Sequence, residues 1–291
     1  MVHKMQSAYE IKKEICEIGR RIYQNGFVAA NDGNISVKVG PNEFYCTPTG
    51  VSKGFMTPDM ILKVDAQGNK LESNPNNPSS EFKMHLKVYA EREDVRAVVH
   101  AHPPTATAFA VAHVPLDKYT MAEASLFLGA VPTCAYGTPS TDEIPDSLMP
   151  YIQDHDAFLL ANHGALTVGN TLTKAFFNME TLEFYAKITL LARQLGGEKE
   201  LSCEELEKLM ELRKKFNVPG RHPGCSKCKN LGTENCRCKQ NITPLADQKV
   251  SEPGEADFKD VNIGKPVSAK TEANAAYIDA VTARVLAELY K

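Results

Sequence analysis

The sequence predicts an α/β protein in which layers of helices pack on a central sheet. Segments with the periodicity of amphipathic helices alternate with short runs rich in β-branched and aromatic residues, and Gly, Pro and Asn separate the two kinds of segment. The chain has 291 residues, of which 43% are hydrophobic, so it can bury one substantial core. Because helices and strands do not alternate strictly, the pattern leaves the direction of the strands open.

The first predicted element is an amphipathic helix. Ser7 and Glu10 have the spacing of a capping box, and Gly26 is typical of a residue that follows a helix end. The apolar stripe between them is formed by Ile11, Ile15, Ile18 and Ile22. Three short segments follow, NISVKV, EFYCTP and MILKVDAQGN, and the turn residues between them predict the strands of a sheet.

The central part of the chain predicts further helices and strands. A helix is expected to begin at Ser79 or Ser80, and the β-branched segment VRAVVHAH predicts a buried strand. The two prolines after that strand suit the first turn of another helix, where missing N–H groups cost least. Then come a strand pair around a turn in DAFLLANHGALTVG, a long helix that ends in two glycines, and a last helix with a capping box at Ser202 and Glu205.

The composition changes after Pro219. Residues 219–239 contain a cysteine cluster, residues 240–270 are polar with few large apolar side chains, and residues 271–291 regain helical periodicity. We therefore expect a compact domain over residues 1–218, followed by a cysteine-rich knuckle, a flexible linker and a C-terminal amphipathic helix.

The composition also argues against two classes of partner. A net charge of -3 and a pI near 6.3 give no overall attraction to nucleic acid or to an anionic membrane. No segment reaches the roughly 20 apolar residues of a membrane helix, and the first residues lack a run of signal-peptide length. We expect a cytoplasmic protein that binds neither nucleic acid nor membranes. Its scattered cysteines, Cys16, Cys46, Cys134 and Cys203, are expected to be reduced.

Two histidines lie one residue apart at the end of the predicted buried strand. Residues i and i+2 of a strand face the same side, so His100 and His102 would point into one space. Two imidazoles held in this way favour a divalent transition metal, zinc first. A pair of hydrogen-bonded histidines at a strand end explains the same pattern equally well.

Two further segments strengthen the metal interpretation. SSEF places Glu81 at a predicted helix start, and ANHG places His163 on a predicted turn. Three imidazoles and one carboxylate match a catalytic zinc site better than a cysteine-rich structural site. Taken alone, Glu81 would be an ordinary first-turn glutamate that the helix dipole favours.

Five segments together resemble a known family. GNIS, TPTGVSKG, PSSE, HAHPP and ANHG occur in this order between residue 7 and about residue 215, and the ordered set resembles the class II aldolase/adducin family. The resemblance implies a three-layer α/β/α fold around a central, mainly antiparallel sheet, with residues 1–218 as the catalytic domain and a C-terminal extension. It also implies a homo-oligomer, usually a cyclic tetramer, with active sites at subunit interfaces.

The resemblance assigns roles to individual residues. The zinc ligands would be His100, His102 and His163. Glu81 would be a fourth ligand that substrate displaces and that then acts as the acid/base residue. Tyr119 would reach a neighbouring subunit's site and handle the proton on the aldehyde-side oxygen, although a packed structural tyrosine explains it nearly as well. The family's second, C-terminal tyrosine has no match here, and Tyr290 is a poor candidate for it.

Small and hydroxyl-bearing residues match the family's phosphate-binding positions. They are Gly33, Asn34, Thr49, Gly50, Ser79 and Ser80. Small residues let backbone N–H groups close on an anion, and hydroxyls and a helix start add donors. Ordinary turn and cap residues are the alternative explanation, but their order relative to the metal set favours phosphate.

The resemblance implies a zinc-dependent aldolase that splits a deoxyketose 1-phosphate similar to L-fuculose 1-phosphate into dihydroxyacetone phosphate and lactaldehyde. Pentulose-phosphate 4-epimerases of the same family typically carry aspartate at the position of Glu81, which favours the aldolase. A methylthioribulose-phosphate dehydratase remains an alternative. A catalytically silent scaffold or adaptor is disfavoured because adducins lack the intact zinc set.

The C-terminal segments carry two further expectations. The cysteines of the knuckle are Cys225, Cys228, Cys236 and Cys238. They predict a structural zinc, with a redox pair or an iron–sulfur cluster as the alternative. The linker and final helix resemble the peptides that load enzymes into bacterial microcompartments, so a shell protein is an expected partner of residues 271–291. Packing of that helix on its own oligomer is the alternative.

Overall fold

The computed structural model describes residues 6–224, which form seven α-helices and seven β-strands. The helices are α1 (Ala8–Gln24), α2 (Phe82–Glu91), α3 (Pro104–Ala112), α4 (Ala122–Phe127), α5 (Glu143–Ser147), α6 (Leu172–Gln194) and α7 (Cys203–Lys215). The strands are β1 (Asn34–Gly40), β2 (Glu43–Cys46), β3 (Leu62–Val64), β4 (Ala97–Ala101), β5 (Thr133–Cys134), β6 (Ala157–Leu160) and β7 (Gly164–Gly169). Within this part of the chain, no helix combines the length and the apolar character needed to cross a membrane.

The seven strands form one sheet in the order β3-β2-β1-β4-β7-β6-β5. Every neighbouring pair is antiparallel except β5 and β6, which are parallel. β4 lies at the centre of the sheet between β1 and β7, and all five of its residues are buried. Burial of both faces explains why its sequence is continuously apolar up to His100. The sheet is mainly antiparallel, as expected.

Helices cover both faces of this sheet. Along β4, Ala97 and Val99 belong to one hydrophobic cluster and Val98 to another, because successive side chains of a strand point to opposite faces. The first cluster contains apolar residues of α1, α3 and α6, and the second contains apolar residues of α2 and α5. The α/β prediction is therefore confirmed, with three layers in the order helix, sheet, helix.

Local sequence explains the ends of the first and last helices. Glu10 N–H donates to Ser7 Oγ at 3.2 Å and Ser7 N–H donates to Glu10 Oε2 at 2.6 Å, which completes the predicted capping box of α1. Ser202 and Glu205 form the same arrangement at α7. Gly26, with φ of +69°, follows the end of α1 in the left-handed region.

Two element boundaries differ from the prediction. The helix expected from Ser79 or Ser80 begins at Phe82, because Phe82 N–H closes a turn onto Ser79 O at 3.0 Å before regular helix starts. The strand expected to include His102 ends at Ala101, since His102 N–H leaves the sheet and donates to Phe27 O at 2.8 Å. Three short elements, α4, β5 and α5, had no predicted counterpart.

The last described residues are attached to the domain by a buried ionic network. Arg92 donates to Asp156 Oδ1 at 2.8 Å, and both side chains are about as buried as core residues. Asp156 Oδ2 accepts the N–H of Arg221 at 2.9 Å, and Arg213 donates to Gly220 O at 2.9 Å. These contacts hold Gly220 and Arg221, at the start of the predicted knuckle, against the domain that was expected to end at residue 218. The knuckle cysteines, the linker over residues 240–270 and the helix over residues 271–291 lie outside the described residues.

Candidate metal centre

Three histidines that are distant in sequence meet at one end of the sheet. His100 is in β4 and fully buried, His102 follows the end of β4, and His163 is on the turn between β6 and β7. One ring nitrogen from each lies within 4.8 Å of the others, and the ring centroids are 4.7 to 5.1 Å apart. The three predicted metal ligands are therefore brought together, and in residues 6–224 they are the single such group of three His, Cys, Asp or Glu side chains.

The hydrogen bond of His100 leaves its Nε2 atom facing His102 Nε2. His100 Nδ1 lies 2.9 Å from Ala165 O and must donate to it, so its Nε2 carries a lone pair. His102 Nε2 lies 3.2 Å from that atom. Burial lowers the pKa of His100 to about 3, and burial followed by the nearby His163 lowers the pKa of His102. Neutral rings with converging lone pairs are the form that binds a metal ion.

Glu81 completes the group. Its Oε1 lies 3.1 Å from His163 Nε2, and its Oε2 lies 3.6 Å from His100 Nε2. Glu81 occupies the cap position of α2, but its side chain makes no capping hydrogen bond and is directed to the histidines. The structure therefore does not favour the interpretation of Glu81 as an ordinary first-turn glutamate.

The surroundings of Glu81 keep its carboxylate ionised. Burial alone would raise the pKa of Glu81, but the hydrogen bond with His163 and the electrostatic attraction to the His100 and His163 rings outweigh burial and lower it to about 2. Asn34 adds a hydrogen bond from Nδ2 to Oε2 at 2.8 Å. An ionised carboxylate beside three imidazoles gives a donor set that suits a divalent cation.

This donor set fits zinc. Catalytic zinc sites use three protein ligands from His and carboxylate side chains and keep a position for water or substrate. A carboxylate beyond the ligands is also present, since Asp32 Oδ2 lies 3.6 Å from His102 Nδ1. His163 Nδ1 is buried and has no hydrogen-bond partner among the described residues. His100, His102 and His163 would hold the ion, with Glu81 as a fourth ligand.

An open pocket of about 390 Å³ adjoins the metal ligands. Its lining contains five of the six residues predicted to bind phosphate, which are Gly33, Thr49, Gly50, Ser79 and Ser80. Asn34 instead lies beside the pocket, with its amide donating to Glu81. A larger groove of about 700 Å³ between α1 and the start of α6 contains no histidine, so we place the chemistry in the smaller pocket.

The loops of this pocket need glycine at two positions. Gly33 has φ of +74°, and a Cβ atom there would lie 2.8 Å from His100 O. Gly50 has φ of +71° and nothing near it within 4 Å, so its requirement is conformational. Ser80 Oγ lies 2.8 Å from Ser140 Oγ, which brings the loop before α5 to the rim. The GNIS and TPTG segments therefore bend toward the metal ligands as backbone loops.

Six residues line the pocket that the sequence patterns did not indicate. They are Asn31, Asp32, Pro48, Lys53, Pro139 and Ser140. Asp32 directly precedes the GNIS segment, and Lys53 lies within TPTGVSKG, so proximity to the motifs was the available indication. Their side chains could not be placed without knowing which loops meet.

Tyr119 does not line the pocket of its own chain. It is buried in a small apolar cluster with Leu206, and its hydroxyl donates to Gly224 O at 2.5 Å. Its expected contribution to a neighbouring subunit stays a prediction. The four scattered cysteines are free thiols, as expected, while the knuckle cysteines Cys225, Cys228, Cys236 and Cys238 lie outside the described residues.

The chain is similar to known proteins over most of the described region. The family described as the class II aldolase and adducin N-terminal domain matches residues 13–190. An L-fuculose phosphate aldolase of Methanocaldococcus jannaschii is 32% identical over 180 residues, which are 62% of this chain and 96% of the relative. A 5-deoxy-D-ribulose 1-phosphate aldolase of Bacillus thuringiensis serovar kurstaki is 32% identical over 213 residues, which are 72% of this chain and 96% of the relative. A 3-oxo-tetronate 4-phosphate decarboxylase of Escherichia coli K12 is 31% identical over 189 residues, which are 62% of this chain and 86% of the relative.

A solved structure has the same fold. An L-fuculose 1-phosphate aldolase superimposes with a TM-score of 0.66 at 31% identity, covering 73% of this chain and 98% of its own. The resemblance seen in the five ordered segments and the fold expected from it are both confirmed.

Proposed function

We propose that this chain, which belongs to the class II aldolase and adducin family, is a zinc-dependent aldolase that cleaves a deoxyketose 1-phosphate such as L-fuculose 1-phosphate. The products would be dihydroxyacetone phosphate and lactaldehyde. The observation that carries the proposal is the convergence of Glu81 and three histidines at the edge of a pocket lined with small and hydroxyl-bearing residues. The names of the fuculose and deoxyribulose phosphate aldolases among its relatives support the same reaction class.

The proposed reaction breaks the bond between the carbon next to the ketone and the carbon whose hydroxyl oxygen becomes the oxygen of the aldehyde. A zinc ion held by the histidines would supply the positive charge that cleavage next to a ketone requires. The hydroxyl loses its proton, the carbon–carbon bond breaks to give the aldehyde, and the remaining carbon takes up a proton to give dihydroxyacetone phosphate. Glu81 would take up a proton from solvent and deliver it to that carbon, which balances the proton that the hydroxyl releases, and Asn34 orients its carboxylate by the 2.8 Å hydrogen bond.

The phosphate of the substrate would lie at the opposite end of the pocket. Gly33, Thr49 and Gly50 come from two loops, and Ser79 and Ser80 come from the turn before α2. Backbone N–H groups of such loops, with nearby hydroxyls, are suitable donors for an anion. The metal and the phosphate cradle together would fix both ends of a short ketose phosphate.

We also propose a homotetramer in which Tyr119 serves a neighbouring subunit. Helix α6 exposes four large apolar side chains on one stripe, which are Phe177, Phe184, Ile188 and Leu191, and Leu195 continues the stripe just beyond the end of the helix. A stripe of this kind indicates a surface that another subunit covers. Tyr119, placed in the site of a partner subunit, would handle the proton on the aldehyde-side oxygen.

The residues outside the described region lead to a proposal about location. The helix over residues 271–291 would bind a shell protein and bring the enzyme into a bacterial microcompartment within the cytoplasm, and the cysteine knuckle would bind a second, structural zinc. Deletion of residues 240–291 should leave turnover intact and abolish co-sedimentation with shell protein. Loss of turnover on deletion would instead indicate that the tail packs on the catalytic domain.

The test of the reaction is the Glu81→Gln variant. We expect zinc content to be retained and release of dihydroxyacetone phosphate, followed with a coupled dehydrogenase, to fall to background, because the amide cannot carry the proton. Glu72→Gln, an exposed glutamate paired with Lys12, is the matched control and should behave as the wild type. Full activity of Glu81→Gln, or wild-type protein that binds no zinc, would refute the proposal. The same preparations assayed with 5-deoxyribulose 1-phosphate and 3-oxo-tetronate 4-phosphate distinguish the activities named for the relatives.

A further inference from the structure

Lys53 is a buried cation at the wall of the active-site pocket. Only 2% of the residue is exposed, and it begins a short 3-10 turn, Lys53–Phe55, that packs against α1. Lysine is almost never buried to this extent unless its charge has a partner. Among the described residues that line the pocket, Lys53 is the single lysine or arginine.

The ammonium group of Lys53 joins the two loops of the phosphate cradle. Its Nζ donates to Asn31 O at 2.8 Å and to Val51 O at 2.7 Å. The first carbonyl belongs to the loop that contains Gly33, and the second belongs to the loop that contains Thr49 and Gly50. An ammonium has three N–H donors, so two bonds to carbonyls leave one donor for the pocket.

Both joined loops contain a residue in the left-handed region immediately before the bound carbonyl. Ala30 has φ of 44° before Asn31, and Gly50 has φ of 71° before Val51. A non-glycine residue such as Ala30 adopts this conformation at a cost, and it persists where surrounding contacts hold it. The bonds from Lys53 are contacts of this kind, so the lysine holds the loops in shape as well as together.

Lys53 supplies a positive charge near two carboxylates of the pocket. Burial lowers the pKa of Lys53 to about 8, while the nearby carboxylates of Asp32 and Glu81 raise it, so the group remains mainly charged at neutral pH. Without Lys53 the pocket wall would present two carboxylates to a phosphate dianion. The positive charge at the junction of the two loops offsets them at the end of the pocket where the phosphate would lie.

We propose that Lys53 determines the affinity of the enzyme for the phosphate group of its substrate, by holding the two cradle loops together and supplying the positive charge behind them. The inference rests on the proposed function, in that it requires a phosphorylated substrate. Lys53 is a positioning and specificity residue that acts on binding, whereas Glu81 acts on the proton transfer.

The test compares Lys53→Met, which removes the charge and both donors, with Lys53→Gln, which keeps an N–H donor and removes the charge. We expect KM for the ketose phosphate and the inhibition constant of inorganic phosphate to rise about ten- to a hundredfold in both variants. The turnover number kcat should stay within about threefold of the wild type, and zinc content should not change. Lys174→Met is the control, because Lys174 is a partly buried lysine whose bond goes to Asn178, away from the pocket.

Three results would overturn the inference: unchanged KM and phosphate inhibition in both variants, a loss confined to kcat, or equal effects of Lys174→Met. If the wild type released no dihydroxyacetone phosphate, the proposed function would fail, and calorimetric titration of the zinc-loaded variants with inorganic phosphate would still decide the role of Lys53. If the variants did not fold, a crystal structure of the wild type soaked in phosphate would decide. Phosphate bound between the two loops supports the inference, and phosphate bound elsewhere refutes it.

Discussion

Replacement of Asn34 separates two roles that the sequence and the structure give this residue. The sequence pattern predicts a phosphate contact, whereas the structure directs its amide to Glu81 Oε2 at 2.8 Å, with a longer bond of 3.4 Å to Ser79 Oγ. Asn34 is 3% exposed and stands opposite His100 in the β1–β4 pairing, so water cannot easily replace its side chain. Asn34→Ala therefore leaves one carboxylate oxygen of Glu81 without its donor.

The expected decrease in kcat follows from the charge of the Glu81 carboxylate, which accepts the hydrogen bond. A hydrogen bond to a charged group contributes about 1.5–3 kcal/mol, and each 1.4 kcal/mol corresponds to a factor of about ten. We therefore expect kcat of Asn34→Ala to fall about ten- to a hundred-and-fifty-fold if the bond is made fully in the transition state. Asn34→Asp should lose more activity, because it places a second carboxylate against that of Glu81.

The assay is steady-state cleavage of the ketose phosphate, with zinc content measured on the same samples. Asn178→Ala is the matched control, since Asn178 is equally buried and donates to Val168 O at 2.9 Å, remote from the pocket. The control should lose stability and keep kcat. A rise in KM with unchanged kcat for Asn34→Ala would refute the orienting role and support the phosphate contact instead.

Three other predictions concern stability and assembly. Asp156→Ala should lower the free energy of unfolding in urea by about 3 kcal/mol or more, because it leaves the buried Arg92 guanidinium with one carboxylate partner fewer; a change no larger than that of an exposed aspartate would contradict this. Burial lowers the pKa of His222 from 6.5 to about 4. Between these pH values the unfolded chain binds more protons than the folded chain, so the free energy of unfolding falls as the pH falls. In His222→Gln the free energy of unfolding should fall less steeply over this window, and a pH profile identical to that of the wild type would exclude the contribution of His222. Leu191→Glu, on the exposed stripe of α6, should dissociate the oligomer in sedimentation, whereas Leu190→Glu, similarly exposed and off the stripe, should not.

Local patterns were sufficient for the long elements and insufficient for the short ones. The capping boxes of α1 and α7 and the apolar run of β4 report on contacts within a few residues, so the sequence predicts these elements closely. The two-residue strand β5 and the helices α4 and α5 depend on neighbours far along the chain. The direction of the strands also depends on tertiary pairing, which is why it followed from the resemblance and not from periodicity.

The candidate site also contains residues that local sequence patterns predict and residues that they do not. Histidine and glutamate side chains are chemically suited to metal binding, and the ordered motifs that contain them predict the four groups that the structure brings together. Lys53 and Asp32 were missed because a charged residue next to glycine is typical of a solvated loop. Only the packing of α1 against the 3-10 turn reveals that Lys53 is buried. Residues whose role depends on an unusual environment are the ones that sequence patterns do not identify.

The antiparallel sheet explains why residues so far apart in sequence meet at one place. β4 runs antiparallel to both β1 and β7, so the end of β4 lies beside the starts of both neighbours. His100 and His102 at the end of β4 therefore meet Asn34 at the start of β1 and His163 just before β7. Gly164 makes the approach possible, because a Cβ atom there would lie 2.5 Å from the His102 ring.

The same geometry couples the metal site to correct strand pairing. Side chains alternate between the two faces of a strand, so a shift of β4 by one residue against β7 would turn His100 to the opposite layer. Val99 would then occupy the position of His100, and the remaining ligands would face different layers of the protein. A bound metal ion would therefore stabilise this register over its neighbours, because only the native pairing presents three imidazoles and Glu81 to one point.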